Sequence, residues 1–318
     1  MDEIKVKIQT HDLIKSLNGR TKLNLTKISN KLNCSRQTFL NKFNKLKDQK
    51  IIHNFTINVN PNIHPNNMKY VMLEIKTNPK EPYLVENLLK INQLKMLDGI
   101  FGEFSLIALF IFKSSEEFNE ILAVLDQIMA DSYFKKYQII ETIKVFKTNG
   151  IQLPDPTPEL DFDDKDYLIL KILQREQGSK PISTYDISKL LKTKYKQELS
   201  QSTIHNRIKR LEETCIILNY SINFNANDIG FKGKFVVRIK PKNPSKYDNL
   251  ALNLIKNPHI TDLFRIGEQY GLFAIIRVKE IEEYGNFIRE LYETEEIEDT
   301  FTNFVLDELK PYTNFIIF

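Results

Sequence analysis

The sequence predicts an α+β protein in which one unit, helices first and then alternating strands and helices, occurs twice. Residues 50–60 read KIIHNFTINVN and residues 215–225 read CIILNYSINFN, 165 positions apart. Aligned without gaps, residues 35–60 and 200–225 are identical at 10 of 26 positions. Self-similarity over so long a period marks a duplicated structural unit. The match resumes at Gly102-Glu103 and Gly267-Glu268, again 165 apart. Within each unit the apolar residues recur first at helix period and afterwards at strand period.

The second copy is the plainer of the two. Residues 163–176, DDKDYLILKILQRE, place Leu168, Ile169, Ile172 and Leu173 on one helical face. Asp163 and Asp164 suit the start of that helix, where unpaired N–H groups favour negative charge. Residues 183–192 form a second helix, with Ser183 as N-cap and Asp186 three residues on. Residues 200–213 form a third, capped by Ser200, with Ile204, Ile208 and Leu211 inward. The first copy repeats the plan: a helix through Ile4, Ile8 and Ile14, a second over 24–32, and a third over 35–48 with Phe39, Phe43 and Leu46 inward.

The duplicated stretch follows that third helix. It is rich in β-branched and aromatic residues and alternates with period two: Phe55, Ile57 and Val59 on one side, Thr56, Asn58 and Asn60 on the other. A strand directly after a third helix reads as the wing of a winged helix-turn-helix. The remainder of each copy runs strand, helix, strand, strand, helix, strand, the βαββαβ order of a ferredoxin-like domain. The expected organisation is a winged helix-turn-helix at 1–60, a ferredoxin-like domain at 61–150, a linker at 151–159, a second winged helix-turn-helix at 160–225 and a second ferredoxin-like domain at 226–318. Three prolines between 153 and 159 make the linker stiff and extended.

Composition narrows the function classes. The chain has 318 residues, 42% apolar and 27% charged, with two cysteines, Cys34 and Cys215. That is too few for a disulfide scaffold and points to a reducing, cytoplasmic setting. The first ten residues lack the apolar core of a signal peptide. No apolar run approaches the roughly 20 residues of a membrane helix. Residues 1–60 hold 12 Lys/Arg against 4 Asp/Glu, whereas residues 158–230 hold 11 of each. A compact basic module suggests a polyanionic partner, here double-stranded DNA.

The outward residues of the third helices fit that partner. Ser35, Arg36, Gln37, Thr38, Asn41, Lys42 and Lys45 lie on the first. Ser200, Ser202, Thr203, His205, Asn206, Arg207 and Arg210 lie on the second. Side chains of these types contact base edges and phosphates when a third helix enters the major groove. For the neutral second module, docking of a protein partner stands beside DNA contact.

A winged helix followed by βαββαβ, at about 150 residues per unit, resembles the Lrp/AsnC family of feast/famine transcription regulators. The resemblance covers nearly the whole chain, twice. Residues 199–220, LSQSTIHNRIKRLEETCIILNY, are similar to the family's recognition helix and the strand after it. The family's glycine after that helix is Lys50 in the first copy and Cys215 in the second. The glycine-led loop between the second and third strands of the family's sensing domain corresponds to Gly102, Glu103 and Ser105, and to Gly267, Glu268 and Tyr270. The family's acidic residue there is replaced by Ser105 and Gly271. The resemblance implies that these loops help to form a small-molecule effector pocket; a tight turn that needs glycine is the plainer reading. Family members usually carry one unit and dimerise through the sensing domains. A tandem chain could therefore be an intrachain pseudo-dimer or enter a larger homo-oligomer.

An enzyme on the same architecture is the rival from another class, and a protein-interaction module without DNA binding is the third reading. Sirohaem decarboxylases resemble this arrangement, but their His- and Arg-rich substrate motif is represented here by Arg265 alone. His11, His53, His64, His205 and His259 are not spaced as metal ligands, and neither a phosphate-binding Gly-Lys loop nor a catalytic triad stands out. The sequence thus implies no catalytic residue, no metal, no cofactor and no membrane partner.

Overall fold

The structure is a computed structural model that describes residues 9–21, 23–62, 68–153, 162–178, 180–310 and 312–317. The chain divides into two compact units. Met1–Asn60, Pro154–Ile229 and Tyr312–Ile317 form a helical unit, and Pro61–Leu153 and Gly230–Pro311 form a strand-rich one. Each unit therefore takes material from both copies.

In chain order the elements of the first copy are α1 (Thr10–Leu17), α2 (Leu25–Lys31), α3 (Arg36–Asp48), β1 (Ile52–Val59), β2 (Lys69–Ile75), α4 (Pro82–Leu89), β3 (Leu94–Ile100), β4 (Leu106–Phe112), α5 (Ser115–Ala130), β5 (Tyr137–Thr148) and the short β6 (Ile151–Gln152). The second copy gives α6 (Asp164–Arg175), α7 (Thr184–Tyr195), α8 (Gln201–Glu213), β7 (Ile217–Asn225), β8 (Gly233–Pro241), α9 (Tyr247–Leu254), β9 (Ile260–Ile266), β10 (Leu272–Val278), α10 (Ile281–Glu293), β11 (Ile297–Glu308) and β12 (Tyr312–Thr313). Ile4 and Ile8 of the expected first helix lie outside the described residues, as does most of the proline-rich linker. The end of α1 is as expected, with Ile14 fully buried.

Local chemistry explains the helix ends of the helical unit. The Asn24, Ser35, Ser183 and Ser200 side chains accept hydrogen bonds from the backbone N–H groups of Lys27, Thr38, Asp186 and Thr203. Each satisfies an N–H that the helix itself leaves unpaired. Asp163 and Asp166 form a reciprocal capping box at the start of α6. After α3 and α8 the chain turns through Lys50 and Cys215, both in the left-handed region at φ 59 and 55. There Ile51 N–H donates to Leu46 O and Ile216 N–H donates to Leu211 O, closing the helices in the same way.

The strand expected to be a wing pairs with its counterpart from the other copy, and the two form a ribbon. β1 pairs with β7 in antiparallel register: Thr56 opposite Ser221, Ile57 opposite Tyr220, Phe55 opposite Ile222. Both of its faces are buried from Phe55 to Asn60. The polar face is satisfied rather than solvated. Thr56 Oγ1 donates to Gln174 O, Asn58 donates to Asn219, and Asn223 donates to Asn54. Phe43 of α3 stacks on Phe55 with ring centroids 5.0 Å apart. β12 adds to the other edge of β7, so the end of the chain joins the helical unit.

In the strand-rich unit eight strands close on themselves in the order β2, β4, β3, β11, β8, β10, β9, β5 and back to β2. The two copies meet at two equivalent seams, β3 with β11 and β9 with β5. Val71, Leu73, Ala108 and Phe110 pack outward against α4 and α5 in one core. Val237, Ile239, Ala274 and Ile276 do the same against α9 and α10 in a second. The intervening residues face the inside of the ring, so these strands are buried on both faces. That interior holds charge as well as hydrocarbon. Lys234 Nζ lies 2.5 Å from Asp98 and 3.3 Å from Glu308, and Arg277 makes a bidentate pair with Glu308 at 2.9 and 2.5 Å. Closure leaves each copy incomplete without the other, because each seam uses one strand from each.

Candidate nucleic-acid interface

α3 presents a dry face and a wet one. Phe39, Phe43 and Leu46 are at most 1% exposed. Ser35, Arg36, Gln37, Thr38, Asn41 and Lys45 are exposed, and Lys42 is half-buried. Gln37 donates to Asn41 along the helix at 2.9 Å. Among the described residues neither Lys42 nor Lys45 makes an ion pair, which leaves both ammonium groups available to an outside anion. Lys45 and Lys47 also sit in the last turn, where the helix dipole favours cations.

α8 shares the scaffold but differs in its charges. Ser200, Ser202, Thr203, His205 and Asn206 are exposed, and Ser200 Oγ lies within hydrogen-bond distance of the Ser202 and Thr203 hydroxyls. Arg207 and Arg210 turn back onto α6. Arg207 donates to both oxygens of Asp163, at 2.8 and 2.9 Å, and to Asp166 at 2.9 Å. Arg210 donates to the other oxygen of Asp166 at 2.5 Å. Asp166 is fully buried. Burial opposes the charge on Asp163, but the Arg207 hydrogen bonds outweigh it and hold the carboxyl below its usual range. Two guanidinium groups that looked available to phosphate are thus engaged within the chain. A signal was present in the sequence: Asp163 and Asp166 are three apart on one helix, and Arg207 and Arg210 three apart on another. The expectation set Asp163 and Asp164 at the start of α6 and gave Asp166 no role.

The two glycine-led loops lie in the strand-rich unit and differ from each other. Glu103 is exposed and pairs with Lys136 at 2.7 Å, which holds its carboxyl below the usual range. Ser105 Oγ donates to Thr77 O, and Gly102 sits at φ 147 beside Asn303 of β11. In the second loop, Gly267 N–H donates to Glu141 O across the β5–β9 seam. Glu268 is partly buried against Arg238 at 3.1 Å, and Arg238 also reaches Glu74 at 2.5 Å. Burial raises the Glu268 carboxyl, against the pull of Arg238. Tyr270 donates to Asp299 at 2.9 Å. Gly271, at φ 79, is required by packing: a Cβ there would lie 2.1 Å from Arg265 Nη1 and 2.4 Å from the Tyr247 ring. The Arg265 guanidinium stacks on that ring at 3.3 Å. The polar groups of these loops are largely paired with groups on the neighbouring elements.

Among the described residues no three His, Cys, Asp or Glu side chains gather as a metal site, and no helix is long and apolar enough to cross a membrane. His259, the one histidine of the strand-rich second copy, lies 3.2 Å from Arg277 O through Nδ1.

A model of the Lrp/AsnC ligand binding domain matches residues 234–315. The HTH-type transcriptional regulator FL11 of Pyrococcus furiosus is 34% identical over 151 residues, which are 48% of this chain and 93% of that protein. The HTH-type transcriptional regulator Ptr1 of Methanocaldococcus jannaschii is 30% identical over 125 residues, 39% of this chain and 80% of that protein. Such relatives are about half as long as this chain. Among solved structures the siroheme decarboxylase NirDL has a TM-score of 0.61 at 10% identity, over 94% of this chain and 91% of that one. At that identity the likeness is one of fold.

Proposed function

Because the chain belongs to the Lrp/AsnC family of helix-turn-helix transcription regulators, we propose that it binds double-stranded DNA sequence-specifically through α3 and α8. On this reading α1–α3 with β1 and α6–α8 with β7 are two winged helix-turn-helix modules, and the two βαββαβ segments are ferredoxin-like domains that assemble the copies. The observation that carries it is α3: a capped helix with an aromatic dry face and an opposite face of Arg36, Gln37, Asn41, Lys42 and Lys45, whose cations make no ion pair among the described residues. Phosphate contacts would attach the protein, and the N-terminal part of the helix would read bases. The duplication replaces the dimer that single-unit proteins need, so the chain acts as an intrachain pseudo-dimer. Loops 102–105 and 267–271 are the places for a small-molecule effector to bind.

Fluorescence anisotropy on DNA from upstream of the protein's own gene, against scrambled DNA and over a salt series, tests the function. Preference for the upstream fragment with affinity falling steeply as salt rises is the expected result. Equal, weak binding to both fragments would overturn it. A tetrapyrrole-binding enzyme built on the same fold is the second reading. A new absorption band on adding an iron-porphyrin to the pure protein would support that reading.

A further inference from the structure

We infer that the DNA site read by this chain is directional, composed of two unlike half-sites rather than a palindrome. The inference rests on the DNA-binding reading above and deepens it. It starts from the β1–β7 ribbon. Thr56 and Ser221 are the same position of the two copies and face each other. Phe55 faces Ile222 and Ile57 faces Tyr220, so each residue of one copy meets its exchange partner in the other. That pattern is what a two-fold axis through Thr56 and Ser221 produces. α3 packs on β1 and α8 on β7, so the same pseudo-axis relates the two helices.

A dimer of identical chains places identical helices on its half-sites, and the palindrome of its target mirrors that symmetry. Here the scaffold is symmetric but the reading surfaces are not. Caps and core repeat: Ser35 with Ser200, Thr38 with Thr203, Leu46 with Leu211. The positions nearest the helix start, which reach base edges, do not. Arg36 corresponds to Gln201, Gln37 to Ser202 and Leu40 to His205. Arginine pairs with guanine O6 and N7, whereas glutamine pairs with adenine N6 and N7, so position 36 and position 201 ask for different bases. Asn41 and Asn206 are the shared exception.

The phosphate grip differs in the same sense. Lys42 and Lys45 correspond to Arg207 and Arg210, which are engaged by Asp163 and Asp166. Lys47 corresponds to Glu212, whose carboxylate accepts the Tyr220 hydroxyl at 2.6 Å. The first copy therefore holds DNA more strongly, and the second contributes mainly by sequence. Because both helices sit on one covalent chain, no exchange of subunits can restore symmetry.

Selection from a random-sequence DNA pool with the full chain tests this. The expected consensus has two different half-sites in fixed order. Arg36→Ala should relax one half-site by roughly 5- to 150-fold and leave the other unchanged. The triple variant Gln201→Arg, Ser202→Gln, His205→Leu should make the second half-site resemble the first. Arg36→Ala keeps the test decisive if the triple variant is poorly folded. A palindromic consensus from the unmodified chain, or equal relaxation of both halves by Arg36→Ala, would overturn the proposal while leaving sequence-specific binding intact. No enriched sequence at all would overturn both.

Discussion

Thr56 lies directly opposite Ser221 in the β1–β7 ladder, and the two are equivalent positions of the two copies. The ribbon around them is the core of the helical unit. Phe55 is fully buried and stacks on Phe43. Phe55→Ala should cost about 3–5 kcal/mol, the usual toll of a phenylalanine-sized cavity. Thermal unfolding followed by circular dichroism reads it, and an unchanged midpoint would show that the ribbon does not hold the unit together.

Charge removal should separate grip from structure. Lys42→Gln with Lys45→Gln should leave the unfolding midpoint unchanged, weaken DNA binding and reduce the salt slope by about 2. Arg207→Gln with Arg210→Gln should do the reverse. It strands fully buried Asp166 without its cations, at a cost of about 3–5 kcal/mol. In the harsher charge-reversed pair, Lys42→Glu with Lys45→Glu should weaken binding more than Arg207→Glu with Arg210→Glu. Equal losses of affinity, measured under conditions where both variants are folded, would contradict the division of labour between α3 and α8.

The turns after α3 and α8 each hold a non-glycine residue in a strained conformation. Lys50 and Cys215 occupy the left-handed region, which costs a non-glycine residue about 1–2 kcal/mol. Lys50→Gly and Cys215→Gly should each raise stability by about 1 kcal/mol, additively because the sites are separate. Chemical denaturation of the two single variants and the double one checks both claims.

Glu308 should make the strand-rich unit acid-sensitive. Burial opposes its charge, but Arg277 and Lys234 outweigh that and pull its carboxyl down to about 2. A carboxyl lowered on folding stabilises the fold above its unfolded value of about 4.3, and that contribution is lost as pH falls toward the folded value. Glu308→Gln should therefore destabilise the protein at neutral pH, and the gap from the unmodified chain should close as pH falls from about 4.3 toward 2. Asp98 works in the opposite direction, its carboxyl raised by burial. A gap independent of pH would mean that Glu308 contributes only by packing.

Much of the local structure was legible in the sequence because short-range chemistry determines it. Ser183 and Ser200 cap the helices they were expected to cap, Ser35 caps α3 in the same way, and Phe39, Phe43 and Leu46 are buried as their spacing required. The duplication, the element order and the basic character of the first module were likewise present in residue identity and period. What pairs with what was not. Alternation of Phe55, Ile57 and Val59 with Thr56, Asn58 and Asn60 announces a strand with one apolar and one polar face, and such a face usually meets water. Only the tertiary structure supplies Asn219, Asn223 and Gln174 as its partners and pairs the strand with its counterpart in the other copy. The same holds for Arg207 and Arg210. A sequence states that a cation is on an outward helix position, but whether a carboxylate 41 to 44 residues away has reached it depends on helix packing, which is a long-range property that no local period encodes.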